Sequence, residues 1–260
     1  MDVLTIVDII EEDFGCEGRP AGQEPKVTVV AADADGRELR FVMADRLAYD
    51  RGLDLGDRVL PDLEGGLVKA PEADAMTEGD KALAGLEFIR GDPELKRRRD
   101  RAEQLCYELN TTPPQDAARK QELLRRLLPH AKGEFCVKSP FLCEYGDFIT
   151  LGNNFFANYN CKLVDGGRIT FGDDVLVGPD CTFVTAVHPT DPERRRAGYQ
   201  IFKPISVGSN VWFGTGVVVC PGVTIGDNCV IGAGSVVVKD IPANTVAAGS
   251  PCKVIRKVNE

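Results

Sequence analysis

A mostly β fold, built on a parallel β-helix with a short helical preface and a small N-terminal mainly-β module, is predicted by three observations on this 260-residue chain. Apolar residues recur at a step of six from Leu151 to Gly249. Residues 76–130 carry a helical pattern, and residues 1–70 alternate like strands.

The six-residue step is carried by an apolar lead residue that is often followed by Gly. It runs through Val207-Gly208, Phe213-Gly214, Val219, Ile225-Gly226, Ile231-Gly232 and Val237, and upstream through Leu151-Gly152, Ala157 and Leu163. Two extra residues then shift the phase before Phe171-Gly172, Val177-Gly178 and Phe183 resume it. Such a step fits neither a 3.6-residue helix nor simple alternation, and it marks coils of short stacked strands. The lead residue is expected inside. The residue four further on must be small or β-branched, and it is Val211, Val217, Val223 and Ser235, or Cys161, Cys181 and Cys229. Gly and Asn/Asp gather at the turns (Gly152-Asn153-Asn154, Gly172-Asp173-Asp174, Gly226-Asp227-Asn228), where positive φ is tolerated.

Ahead of the coil, residues 76–130 form the preface. Asp92-Pro93 opens one helix that stops before Thr111-Thr112-Pro113-Pro114, and QDAARKQELLRRLLPH makes a second, with His130 closing it. The module of residues 1–70 reads VLTIVDII, KVTVVAAD and ELRFVMAD, with turns at 33–36 and 56–57 and a short helix near Asp45–Gly52, and is expected to be barrel-like. Residues 71–75 join the two. Charge divides at the same place: residues 1–70 carry a net −8, residues 71–75 a further −2, and residues 76–260 a net +1.

An acidic module on a nearly neutral body argues against non-specific nucleic-acid binding. The basic run Lys96-Arg97-Arg98-Arg99-Asp100-Arg101 reads as a solvated helix face or as an anion or acceptor contact at the rim of a site. A hydrophobic content of 43% is ordinary for a soluble globular protein. No apolar run has membrane-spanning length, and MDVLTIVDIIEEDFG lacks a basic n-region and a cleavage site, so no membrane partner and a cytoplasmic location are expected. The nine cysteines include no CxxC pair and no ligand-like spacing with the two histidines, so no metal is expected.

The repeat breaks from about Pro189 to Pro204, and the second histidine, His188 in TAVHPTDP, stands at the break. A histidine where a rigid scaffold meets an extended loop is a candidate general base.

Together, LGNNFFANYN (151–160), TAVHPTDP (185–192), KPISVGSNVWFG (203–214), the segment PGVTIGDNCVIGAGSVVVKDIPANTVAAGSPCKVIR (221–256) and the helical preface resemble the maltose/galactoside O-acetyltransferases. The resemblance covers residues 76–258 and leaves residues 1–70 outside it. It implies a left-handed coil, residues 131–260, and a homotrimer with active sites between subunits. It further implies transfer of an acetyl group from acetyl-CoA to the hydroxyl of a sugar or sugar-like acceptor, with His188 as general base. Residue by residue, it places Asn158, Arg99, Asp92, Asp165, Phe156, Gln200 and Trp212 on the acceptor side. Thr215, Ala233, Val238, Lys239, Lys253 and Arg256 fall at positions that contact CoA. Lys253 and Arg256 suit anionic phosphates.

Three positions depart from the family pattern. Phe156 stands where galactoside-type members carry Tyr, Gly166 stands where some relatives carry a second Asp, and Gln200 lies at a variable pocket position. The acceptor and the role of residues 1–70 are therefore open. Three competing readings weigh less. An antibiotic O-acetyltransferase shares the chemistry, a zinc-dependent carbonic anhydrase of the same coil needs three histidines, and a non-catalytic scaffold leaves His188 and the Lys239/Lys253/Arg256 set without a purpose.

Overall fold

The structure, a computed structural model, describes residues 3–11, 25–33, 36–61, 66–69 and 77–259. It divides into two compact units, Met1–Leu86 and Glu87–Glu260. The expected join at 71–75 lies outside the described residues.

In the first unit β1 (Leu4–Glu11), β2 (Lys26–Ala32), β3 (Glu38–Ala44), α1 (Asp45–Asp50), β4 (Arg58–Pro61), β5 (Leu67–Lys69) and α2 (Glu78–Leu83) follow in order. The antiparallel sheet runs β3-β2-β1-β4-β5. It is open, with β3 and β5 as its edges, rather than the expected barrel. Alternation buries Leu4, Ile6, Val27, Val29 and Val59 against Leu53 and Leu67. Helix α2 is closed by a capping box between Thr77 and Asp80, and it belongs to this unit rather than to the preface.

The second unit begins with β6 (Phe88–Ile89), α3 (Pro93–Thr111) and α4 (Ala117–Leu127). Asp92 caps α3, accepting from the N–H of Glu94 and Leu95, and Asp116 caps α4. Leu105, Leu109, Leu123, Leu124 and Leu127 face the first coil. That coil is β7 (His130–Ala131), β8 (Phe135–Val137) and β9 (Phe141–Cys143). His130 therefore opens a strand, paired with Thr150, instead of ending a helix. The chain leaves the helix at Leu128, because Pro129 after it disfavours a helical backbone there.

The coils then stack. The second is β10 (Ile149–Leu151), β11 (Phe155–Ala157) and β12 (Cys161–Val164), and the third is β13 (Ile169–Phe171), β14 (Leu176–Val177) and β15 (Thr182–Val184). An excursion follows with β16 (Ala186–Val187), α5 (Pro192–Arg196) and β17 (Tyr199–Phe202). The fourth coil is β18 (Ile205–Val207), β19 (Trp212–Phe213) and β20 (Val218–Val219), and the fifth is β21 (Thr224–Ile225), β22 (Val230–Ile231) and β23 (Val236–Val237). Finally β24 (Thr245–Gly249) extends the second face, and β25 (Cys252–Lys257) folds back on it antiparallel. The strands make three parallel faces, β7-β10-β13-β18-β21, β8-β11-β14-β19-β22-β24 and β9-β12-β15-β20-β23.

The six-residue step now has a physical account. The lead residues are buried, and Phe155, Phe171, Phe183 and Phe213 form a continuous stack with centroids 4.9 to 5.1 Å apart. The second slot holds Cys161, Cys181, Cys229 and the valines, all buried. Positive φ at the corners is carried by Asn154, Asp174, Asn210, Asn228 and Asn244, at 55° to 61°. Their side chains bond from coil to coil, as in Asn210 Nδ2 to Asn228 Oδ1 at 2.9 Å. The glycine after a lead residue serves another end, because a Cβ on Gly214 would lie 2.6 Å from the N atom of Ala233 in the next coil. Close stacking, not a left-handed backbone, demands it. No helix among the described residues is long and apolar enough to cross a membrane.

Candidate active site

The excursion leaves the third coil through a pinned neck. Thr185 is fully buried, its Oγ1 donates to the carbonyl of Val164 at 2.8 Å, and it accepts from the N–H of Gly167 at 2.8 Å. Its own carbonyl accepts from the N–H of Lys203 at 2.8 Å, which closes the loop. Beyond the neck, β16 and β17 form a hairpin to which β6 of the preface adds a third strand. Val187 pairs with Ile201 and Phe88 with Gln200. His188 directly follows β16 and is exposed.

A cavity of about 210 Å³ opens at this junction, lined by Phe88, Arg90, Asp92, Arg99 and Gln200 among others. Three of the expected acceptor-side residues, Asp92, Arg99 and Gln200, thus meet at one place. Arg99 is held there by Tyr145, to whose hydroxyl Nη2 donates at 2.9 Å, and by Glu144 at 3.2 Å. Burial pushes the Glu144 carboxyl above its ordinary value, while Arg99 pulls it down. Arg99 also borders a larger groove of about 470 Å³ between α3 and β9, beside Tyr107 and Leu142.

Asp165 does not take the role expected for it. It is fully buried, and its carboxylate accepts from the backbone N–H of Glu144, Tyr145, Gly146 and Phe148 at 2.7 to 3.3 Å. With both oxygens committed to the chain, it shapes the loop that carries Glu144 and Tyr145 and leaves nothing for an acceptor. Burial pushes its pKa up to about 7 although these donors favour the ionised form. The neighbouring Gly166 is packed as tightly, since a Cβ there would fall 2.2 Å from a ring carbon of Phe202.

The fold is that of known enzymes. Residues 81–133 match the maltose acetyltransferase hexapeptide capping motif, and residues 204–239 match the bacterial transferase hexapeptide family, six repeats. Galactoside O-acetyltransferase of Escherichia coli K12 is 44% identical over 185 residues, which is 71% of this chain and 90% of that one. The chain belongs to the hexapeptide-repeat acetyltransferases. Among solved structures, a maltose O-acetyltransferase from Clostridium difficile 630 superposes with a TM-score of 0.69 at 43% identity, covering 72% of this chain and 100% of that one. A galactoside acetyltransferase in complex with coenzyme A gives 0.69 at 42% identity, covering 71% and 92%.

In this acetyltransferase the remaining expected residues fall elsewhere on the prism. Asn158 follows β11 at the edge between the second and third faces, whereas His188 lies past β15, where the third face turns towards the first. Its Oδ1 accepts from the N–H of Tyr159 at 2.8 Å. Thr215 and Ala233 stand exposed on the same edge as Asn158, and the exposed pair Val238 and Lys239 follows β23. Lys253 pairs with Ala248 and Arg256 with Val246 on the second face, and Arg256 Nη1 donates to the carbonyls of Lys257 and Val258.

Phe156 and Trp212 point outward from that face, in a row that the register runs as Phe156, Leu176, Trp212, Val230 and Val246. The corresponding row of the first face is His130, Thr150, Thr170, Ser206 and Thr224. Sequence reasoning missed Phe88, Arg90, Glu144, Tyr145 and Thr185. Only Arg90 and Phe88 carried a residue-type signal, and nothing near them announced a strand of two residues.

Proposed function

We propose that this acetyltransferase moves the acetyl group of acetyl-CoA to a hydroxyl of a sugar or sugar-like acceptor, with His188 as general base. The reading is supported by the convergence of Asp92, Arg99 and Gln200 on one cavity, at the three-stranded sheet whose strand β16 His188 directly follows. A neutral imidazole there takes the hydroxyl proton as the oxygen attacks the thioester carbonyl. The C–S bond then breaks, and the proton passes to the departing thiolate to give free CoA. Arg99, fixed by Tyr145 and Glu144, orients the acceptor.

Lys239, Lys253 and Arg256 suit the phosphates of CoA, because each is exposed and basic. Thr215 and Ala233 offer a narrow edge along which the extended cofactor lies. A homotrimer accounts for two further features. The second face exposes an apolar row with Leu176 and Trp212 about half exposed, at 49% and 55%, whereas the first face is polar. Packing that row against a neighbouring copy also allows Asn158 of one subunit to reach the site of His188 in the next, although the two lie on different edges of one prism.

The test is turnover by the purified chain with acetyl-CoA and a panel of hexosides and hydroxylated antibiotics, read as free-thiol release. Activity on hexosides supports the reading, and activity confined to antibiotics overturns the acceptor class. The absence of any CoA binding by calorimetry overturns the transferase itself.

A further inference from the structure

The cavity that gathers Asp92, Arg99 and Gln200 is lined by three cations and two carboxylates. Five charged side chains line it: Arg90, Asp92, Lys96, Arg99 and Asp100. Asp92 Oδ1 accepts from the first N–H groups of α3, at 2.9 and 3.0 Å, and the carboxylate keeps its charge. Asp100 is paired with Lys96 at 2.5 Å. Arg99 is paired with Glu144 and hydrogen-bonded to Tyr145. Arg90 is left, and among the described residues no carboxylate pairs with it.

Arg90 is also placed rather than loose. Its N–H donates to the carbonyl of Gly198 at 3.1 Å, and it directly follows Ile89, which pairs with Tyr199. Its side chain runs along Gly198, where a Cβ would lie 3.4 Å from Cγ and 3.5 Å from Nε of Arg90. Glycine at 198 answers to its backbone, whose φ is +92°. Phe88 borders the cavity but is almost wholly buried, packed on Phe202 with centroids 4.9 Å apart. An exposed guanidinium with no carboxylate partner, in a cavity lined by more cations than carboxylates, describes a ligand with an anionic group.

We propose that the physiological acceptor is an anionic saccharide, bearing a carboxylate or phosphate that Arg90 receives. This rests on the transferase reading above and names the substrate class within it. A guanidinium binds either oxyanion through parallel N–H donors, and a charge-assisted contact of that kind corresponds to roughly 10-fold or more in affinity. His188 addresses a hydroxyl of the same ligand.

The experiment compares matched acceptors on the full-length enzyme at fixed acetyl-CoA: methyl glucoside against methyl glucuronide, and glucose against glucose 6-phosphate. The anionic member of at least one pair is expected to show a KM lower by about 10-fold, a preference that weakens as salt is added. Whichever pair shows it identifies the anion as carboxylate or phosphate. In Arg90→Ala and Arg90→Glu the KM for the anionic acceptor rises about 10-fold or more, so the preference collapses, while the KM for acetyl-CoA stays at the wild-type value. Arg90→Lys restores part of the preference. Circular dichroism melting confirms that these exposed substitutions leave the fold intact.

Equal KM values within both pairs, or an Arg90→Ala preference equal to wild type, overturn the proposal. Calorimetric binding of glucuronide and glucose separates the two levels. Charge-selective, Arg90-dependent binding without any turnover overturns the transferase reading and upholds the anion site. Turnover of neutral and anionic acceptors alike does the reverse.

Discussion

Asp165 Oδ2 accepts a 2.7 Å hydrogen bond from the backbone N–H of Gly146, nineteen residues earlier and one coil away. Three more N–H groups of the same loop converge on this carboxylate. The two residues that interrupt the six-residue step are therefore a fastening between coils. Replacing Asp165 by Ala strands two buried and two part-buried donors, and a loss of about 3–5 kcal/mol is expected in denaturant unfolding. Activity falls with it, because Tyr145 and Glu144, which hold Arg99, sit on the released loop.

The same carboxyl gives a pH signature. Its folded pKa, pushed up to about 7, exceeds the ordinary value of 3.8, so between these limits the folded chain binds a proton that the unfolded chain has lost. The contribution of this group to stability is therefore largest below about pH 4 and declines as pH rises towards 7. Thermal midpoints of wild type and Asp165→Asn at pH 5 and pH 7.5 should show wild type losing ground to the variant at the higher pH. Parallel behaviour of the two proteins would contradict the assignment.

Gly166 and Phe202 should behave as a coupled pair. Gly166→Ala pushes a methyl into the Phe202 ring and is expected to cost about 1–3 kcal/mol. Phe202→Ala costs about 3–5 kcal/mol by leaving a void beside Phe88. The double variant should be more stable than the sum predicts by at least ~0.5 kcal/mol, since the void accepts the methyl. Strict additivity in thermal unfolding would mean that the two positions do not share space.

Asn228 tests the corner ladder. Its φ is 55°, and its Nδ2 donates to Asn244 Oδ1 at 2.9 Å. Asn228→Ala meets the full left-handed penalty of about 1–2 kcal/mol and also loses the ladder bonds. Asn228→Gly loses only the side-chain bonds, to Asn244 and from Asn210, so the order of melting temperatures should be Asn, Gly, Ala.

His188→Ala is expected to keep the fold, since the side chain is exposed, and to lower acetyl transfer by ~10²–10⁴. An unchanged turnover number in the purified variant would remove His188 from the reaction.

The coil was legible because its rule is local and repeated: each lead residue announces its own burial, as Phe213, Ile225 and Ile231 do. The excursion was legible only as an interruption. Its three-stranded sheet joins Phe88 to Gln200 across more than a hundred residues through strands too short to leave a period. His130 read as a helix end because its pairing partner, Thr150, lies in the next coil. Asp165 read as an acceptor contact because a carboxylate gives the same letter whether it faces a ligand or four backbone donors. The post-lead glycines were misattributed to backbone conformation, since the pattern shows that a side chain is missing but not what would have collided with it.

A stack of parallel strands has an end, and the end of a sheet is a row of unpaired donors and acceptors on which another chain can grow. Here the last parallel strand of the second face, β24, is met by β25, which turns back through Ser250 and Pro251 and pairs along it from Gly249 to Thr245. This returning strand works as a stopper against fibre-like growth. Lys253 and Arg256, the two bases expected to hold the cofactor's phosphates, are on it. Trimming the tail would thus uncover a sticky edge in the same stroke that disarms cofactor capture, so aggregation and inactivity would arrive together from one short deletion.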